Sequence, residues 1–259
     1  ERDMALYVFG DIHGPAEIGK LTPRRFPAEP TLTEEDYVVV CGDFGFPFLP
    51  TDVLEEEQIP FDLPFARRQA VQNRRAYAKW VDWLAQRPYQ ILFVDGNHDN
   101  HAFWNAQPVE VWNGGMINRL PDAPNVIHLR RGEYYTIAGK TFWAMGGASS
   151  IDREYRIEGY SWWPQELLSL QEMEHGLQTL ETHGNQVDYI LTHTLPRVLI
   201  PIYFGRYSFR ENDPVSGYLD EVYRRVKGLK QWYCGHMHAD IAKEGYRLTV
   251  LYEDCAEIS

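Results

Sequence analysis

The sequence predicts an α/β fold whose strand ends carry a ligand site, and three observations support this. Short apolar runs, rich in valine, isoleucine and aromatic residues, recur without polar interruption, as strands covered on both faces require. Segments of helical periodicity alternate with them, the order of a sheet flanked by helices. Several of the runs break into a cluster of aspartate, asparagine or histidine, at the edge where open α/β sheets hold their ligands.

Residues 5–9 read as the first strand, ending at Gly10 and delivering Asp11 and His13 before Gly14. A helix is expected from about Pro15, since proline suits the first helical position. Residues 37–41, Tyr-Val-Val-Val-Cys, form the second strand and run into Gly42-Asp43-Phe44-Gly45. Residues 46–64 combine Pro47, Pro50, Pro60 and Pro64 with Phe46, Phe48 and Phe61, and read as an ordered loop beside the site. Over 66–86 the pattern is helical, with Ala70, Tyr77, Trp80, Val81 and Leu84 on one stripe. Arg67, Arg68, Arg74 and Arg75 fall largely outside that stripe, as a solvated face.

Residues 91–94 are the next strand, broken at Gly96 to release Asn97, His98 and Asp99. A short helix is expected at 100–105. Strands follow at 109–112, 126–129, 134–137 and 141–145, with turns at Gly114-Gly115 and 138–140. Gly146-Gly147 leads into Ser149, Ser150, Asp152, Arg153 and Arg156. A helix at 165–182 carries Leu167, Leu168, Leu170, Met173, Leu177 and Leu180 as its apolar stripe. The strand at 187–191 delivers His193. After a loop to about 212 and a helix at 214–227, the strand at 231–234 delivers Gly235-His236-Met237-His238. Residues 248–252 close the sheet.

With 259 residues, 44% hydrophobic and 24% charged, the composition is that of a soluble globular chain, read as a single domain over 1–259. No run approaches the ~18 apolar residues of a membrane span. Residues 1–30 lack the basic-then-apolar layout of a signal peptide. Cys41, Cys234 and Cys255 cannot all pair, and two of them follow apolar runs, so free thiols and a cytoplasmic location are expected. A net charge of −12 argues against a broad footprint on duplex nucleic acid. It leaves room for a compact phosphate ester held by metals. Nothing here sets an oligomeric state.

Any one polar cluster is also a good turn former. Five in succession, Asp11/His13, Asp43, Asn97/His98, His193 and His236/His238, are hard to explain as turns. Carboxylate, amide and imidazole together suit divalent Mn, Fe or Zn. Eight such groups are too many for one tetrahedral ion and about right for two.

The order Gly10-Asp11-Ile12-His13-Gly14, Gly42-Asp43, Gly96-Asn97-His98-Asp99, Thr192-His193 and Gly235-His236-Met237-His238 resembles the calcineurin-like metallophosphoesterase superfamily. Gly146-Gly147-Ala148-Ser149-Ser150-Ile151-Asp152 resembles a segment of its small bacterial and phage members. The resemblance implies a four-layer αββα sandwich of two mixed sheets flanked by helices, with two metal ions at the strand ends. It implies one ion on Asp11, His13, Asp43 and His238, and the other on Asp43, Asn97, His193 and His236. It further implies attack by a water or hydroxide bridging the ions on a phosphate mono- or diester, with His98 outside the metal shell as proton donor. The protein Ser/Thr phosphatase branch follows its second Gly-Asp with Asp-Arg-Gly and ends its third block in Glu. This chain has Phe44-Gly45-Phe46 and Asp99 there, so phosphoproteins are disfavoured and the partner orienting His98 is unassigned.

Arg153 and Arg156, after the flexible Gly146-Gly147, are the expected substrate-binding residues, since arginine presents a planar fork to phosphate oxygens. Surface pairing with Asp152, Glu154 or Glu158 is the competing account. A nuclease is the enzymatic alternative, and would use Arg153, Arg156, Tyr203, Phe204, Arg206 and Arg210 as a basic, aromatic groove. A non-catalytic scaffold of the same fold should have lost site residues, and this chain retains them.

Overall fold

In the computed structural model, which describes residues 4–54, 64–205 and 212–258, the strands form two mixed sheets packed face to face. β1 (Leu6–Phe9), β2 (Tyr37–Cys41) and β3 (Gln90–Val94) lie parallel and adjacent in the first sheet. β4 (Glu110–Trp112), β5 (Gly115–Leu120) and β6 (Ala123–Leu129) extend it, β6 parallel to β3, β5 antiparallel to β6 and β4 antiparallel to β5. The second sheet opens with the hairpin of β7 (Glu133–Ile137) and β8 (Lys140–Met145). β9 (Tyr189–Thr192) and β10 (Gln231–Cys234) continue parallel to β8. β11 (Ile241–Ala242) and β12 (Leu248–Val250) complete that sheet, and β13 (Cys255–Ile258) returns to pair with β1.

Strand periodicity separates the layers. Val39, Cys41, Leu92 and Val94 face Phe142, Ala144, Tyr189, Leu191 and Tyr233 between the sheets. Their neighbours Val38, Val40, Ile91 and Phe93 face outward, under Tyr77, Val81 and Leu84 of α1 (Pro64–Ala85). After α2 (His101–Asn105), α3 (Leu170–Thr182) covers the second sheet, packing Leu180 onto Trp143 and Ile190. Following α4 (Ile200–Phe204), α5 (Pro214–Arg225) adds Leu219 and Val222 to the same core. The layers are helix, sheet, sheet, helix, as expected. Among the described residues no helix is long and apolar enough to cross a membrane. Cys41 and Cys234 are buried, Cys255 is exposed, and all three are free thiols.

Several expectations change in detail. The helix expected from Pro15 is a series of short 3-10 turns at Gly14–Ala16, Ile18–Leu21 and Glu29–Thr31, broken where Glu17 (φ −125°) and the extended Thr22 (ψ 156°) leave helical geometry. The turn expected at Gly114-Gly115 lies one residue earlier, on Asn113 and Gly114, and Gly115 begins β5, a strand not expected from the sequence. α3 begins at Leu170 behind a capping box of Ser169 and Glu172, so Leu167 and Leu168 precede it and Leu170 is 83% exposed. Residues 248–252 do not close a sheet. β12 lies between β10 and β11, and the chain then turns as Tyr252, Glu253 and Asp254 donate backbone N–H groups to the Asp240 carboxylate. Of the aromatics near 160, Trp163 is buried and Tyr160 exposed. Residues 55–63 of the expected ordered loop, the Arg67 side chain, Arg206 and Arg210 lie outside the described residues.

Leu92 is completely buried between the sheets. Leu92→Ala should cost about 2–5 kcal/mol in denaturant unfolding, whereas Leu170→Ala should stay within roughly 0.5 kcal/mol.

Candidate metal centre

The registers bring the strand ends level. Phe9 pairs with Val40 and Val40 with Phe93, so the turns after β1, β2 and β3 leave the first sheet side by side. In the second sheet Leu191 pairs with Tyr233, placing His193 beside Gly235. His193 Nδ1 donates to the Cys41 carbonyl at 2.8 Å, joining the sheets at this edge. The glycines of the motifs make room for one another's ligands. A Cβ on Gly42 would lie 2.1 Å from the His193 ring, one on Gly96 2.1 Å from Asp43 Oδ1, and one on Gly235 2.1 Å from Asp11 Oδ1.

All the expected metal-site residues converge. Asp43 Oδ2 is 3.2 Å from His13 Nε2, and its Oδ1 is 3.3 Å from His193 Nε2. His193 Nε2 also lies 3.0 Å from Asn97 Oδ1. Asp11 Oδ2 is 3.1 Å from His238 Nε2 and 3.9 Å from His13 Nε2. The His236 backbone N–H donates to Asp11 Oδ1 at 2.8 Å, and its ring centroid is 4.7 Å from that of His193. His13, Asp43, His236 and His238 all have left-handed φ, between 48° and 64°. For residues with a Cβ this costs on the order of 1–3 kcal/mol each, strain that concentrates at functional sites.

Asp11, His13 and His238 form one group able to hold a cation, and Asp11, Asp43 and His193 form another. Asp11 Oδ2 is buried and has no hydrogen-bond partner. Burial opposes charge on His193, yet the Asp43 and Asp11 carboxylates hold its pKa at about 10. Burial opposes charge on His13 too, but Asp43, Glu17 and Asp11 keep it at about 9. Without a metal, protons on these rings neutralise the buried carboxylates, and divalent ions fit the same role.

His98 borders the centre. Its backbone N–H donates to Asp43 Oδ1 at 2.7 Å. Its Nε2 is 3.1 Å from Asn97 Nδ2 and 3.4 Å from Arg156 Nη2, both donors, so Nε2 accepts. Asp99 does not orient this ring. It accepts backbone N–H bonds from Gly45 and Gly96, both at 2.7 Å, and from Phe44 at 3.3 Å, clamping two of the turns together. Arg156 grips Asp152 through Nε and Nη2, at 2.8 and 2.7 Å, while reaching His98. Arg153 is exposed on the neighbouring 3-10 turn, and neither arginine is among the cleft-lining residues. Of the residues considered for a nucleic-acid groove, Tyr203 is buried in the second-sheet core.

The cleft itself has a volume of about 180 Å³ and is lined by Asp43, Asn97, His98, Ile151, Asp152, His236 and His238. The sequence argument missed its supporting groups. Glu17, four residues after His13, accepts from His13 Nδ1 at 3.0 Å and from Lys20 at 2.7 Å. Glu166 and Ser150 support Asn97. Only Glu17 had a local signal, its spacing from His13.

The raised pKa values of His13 and His193 set a pH dependence. The stability they give the metal-free chain is fully present below pH ~6.5 and is lost as pH rises through about 9 to 10. A cation held by both rings would displace both protons, so affinity should then rise with pH across that window. Manganese calorimetry at pH 7 in buffers of different ionisation enthalpy should register about two protons released per chain.

A family model described as calcineurin-like phosphoesterase matches residues 4–240. Comparison with curated protein sequences gives no match. Among solved structures, a Staphylococcus aureus protein described as a 5′-nucleotidase, in complex with alpha-ketoglutarate, superposes with a TM-score of 0.50 at 12% identity. The superposition covers 98% of this chain and 50% of that one, so this chain spans half the length of that protein and shares its fold. Phosphopantetheinyl hydrolase from Mycobacterium tuberculosis matches with a TM-score of 0.40 at 14% identity, over 97% of this chain and 90% of its own. The family match takes in all five motif blocks, from Gly10 to His238. The chain belongs to the calcineurin-like phosphoesterase family, metal-dependent hydrolases of phosphoric ester bonds.

Proposed function

We propose that this chain hydrolyses small phosphate mono- or diesters with two divalent ions, Mn, Fe or Zn. The observation that carries this is the Asp43 carboxylate, which turns one oxygen toward His13 and the other toward His193. In this reading Asp43 would serve both ions, with Asp11, His13 and His238 holding one and Asn97, His193 and His236 the other. When bound, the ions neutralise phosphoryl oxygens and lower the pKa of a shared water for in-line attack.

The chain's own side chains do the rest. His98 is the proton donor to the leaving alkoxide. Burial keeps its pKa below the ordinary histidine range, so the resting ring is neutral and accepts at Nε2. An incoming phosphoryl group attracts the Arg156 guanidinium away from Nε2, and its negative charge favours protonation there. Arg156, beside His98, and Arg153, on the exposed turn before it, bind the phosphate oxygens. A cleft of about 180 Å³ admits a phosphoryl group and a compact alcohol but no duplex.

Turnover of an aryl phosphate monoester and diester, with manganese added and then chelated, tests the assignment. Activity on at least one ester should appear with the metal and vanish on chelation, and inactivity on both overturns it. Asp43→Asn should abolish turnover and lower metal content, with the far-ultraviolet circular dichroism unchanged. His98→Ala should keep its metal and lose roughly 10²–10⁴-fold in rate. That loss should shrink on esters with very good leaving groups, and an equal loss on good and poor ones argues for charge stabilisation instead.

A further inference from the structure

We infer that Ser150 and Glu166 are positioning residues that fix which end of the Asn97 amide faces the metal centre. The inference rests on the proposed ligand role of Asn97. The two ends of a side-chain amide are opposite in character: the oxygen can hold a cation, and the NH₂ group cannot. A half-turn about the last side-chain torsion exchanges them with little change of shape. Something must therefore distinguish the two orientations.

The distinction comes from a chain of hydrogen bonds with a fixed direction. Asn97 Nδ2 donates to Ser150 Oγ at 3.1 Å, while Oδ1 sits 3.0 Å from His193 Nε2. Ser150 has one hydroxyl proton, and it is committed to Glu166 Oε2 at 2.5 Å. The other carboxylate oxygen accepts the Ser150 backbone N–H at 2.9 Å, so the serine is held at both ends. Ser150 and Glu166 are both buried, at 5% and 1% exposure, and water does not compete. With its proton spent, Ser150 Oγ can only accept. A reversed Asn97 would set Oδ1 against that oxygen and NH₂ against the cation.

The backbone is shaped for this contact. A Cβ on Gly147 would lie 2.7 Å from the Glu166 carbonyl, so glycine lets the segment pass beneath Glu166 on its way to Ser150. Gly147 N–H donates to the Asp95 carbonyl at 2.8 Å, tying the segment to the turn that carries Asn97. The second Asn97 N–H faces His98 Nε2 at 3.1 Å, the contact that nitrogen accepts in the resting site.

Manganese titrated into the metal-free full-length chain by calorimetry is the test. In Ser150→Ala, the ion that contacts Asn97 should bind about 10- to 100-fold more weakly. The other binding event should hold, while the unfolding temperature of the metal-free chain falls by only the few degrees that a lost buried hydrogen bond costs. Ser150→Thr retains the hydroxyl and should recover the affinity. Glu166→Gln can offer Ser150 an N–H and release its proton, and should weaken the same event if the serine variants fail to fold. Unchanged affinity in Ser150→Ala and Glu166→Gln overturns the inference, as does equal weakening of both events with a lowered unfolding temperature. Wild-type chain that takes up no divalent ion overturns the functional reading as well, whereas normal wild-type uptake with unaffected variants overturns this inference alone.

Discussion

The placement of one buried carboxylate, that of Asp43, governs the rest of the site. It is almost fully removed from water and sits near a second buried carboxylate, Asp11, an arrangement that is costly unless positive charge is supplied between them. The chain supplies it from both sheets. His13 approaches one oxygen and His193 the other, while the backbone of His98 donates to the second of these. Gly96 lacks a side chain because Asp43 occupies that space. Asp99 holds the two residues just after Asp43 through their backbone N–H groups, and a third such bond from Gly96 ties them to the turn after β3.

Much of the fold and of the site is legible in the residues themselves. The strands at 37–41 and 231–234 run over the residues expected, because their apolar runs are sharply bounded by Asp36 and Gly42 in one case and Gly235 in the other. The site blocks are legible because residue type and position coincide: metal-binding groups directly follow buried strands. Division into two sheets, by contrast, depends on long-range pairing that no local pattern encodes. β13 carries a glutamate and an exposed cysteine, and is held as a strand by its pairing with β1. The supporting groups are hidden for the same reason. Ser150 reaches Asn97 across 53 positions, and Tyr252 reaches Glu17 across 235.

A second buried polar cluster shows how charge alone can mislead. Asp95 is gripped by Arg131 and accepts from His128 at 3.1 Å, with His101 Nδ1 3.6 Å away. A cavity of about 550 Å³ opens over this cluster, larger than the cleft at the metal centre. Yet Arg131 spends its donors on Asp95, Glu172 and the carbonyls of Gln165 and Leu167, and Glu133 is paired with His175. The charged groups satisfy one another, and only His101 Nε2 and Trp104 Nε1 among the polar lining atoms are buried without a hydrogen-bond partner. Their evident task is mechanical, bracing the turn after β3 against the segment leading into α3.

Because Asp11, His13, Asp43 and Asn97 hang from one sheet and His193, His236 and His238 from the other, the sandwich acts as a caliper. The gap it sets is the thickness of the layer between the sheets, where Val39, Cys41 and Leu92 meet Tyr189, Leu191 and Tyr233. Packed interiors transmit strain rather than absorb it. An extra methylene in that layer would therefore be felt at the strand ends as a change in the spacing of these side chains, even where the protein stays folded. The inner layer is thus constrained by the chemistry at its edge as well as by its own packing.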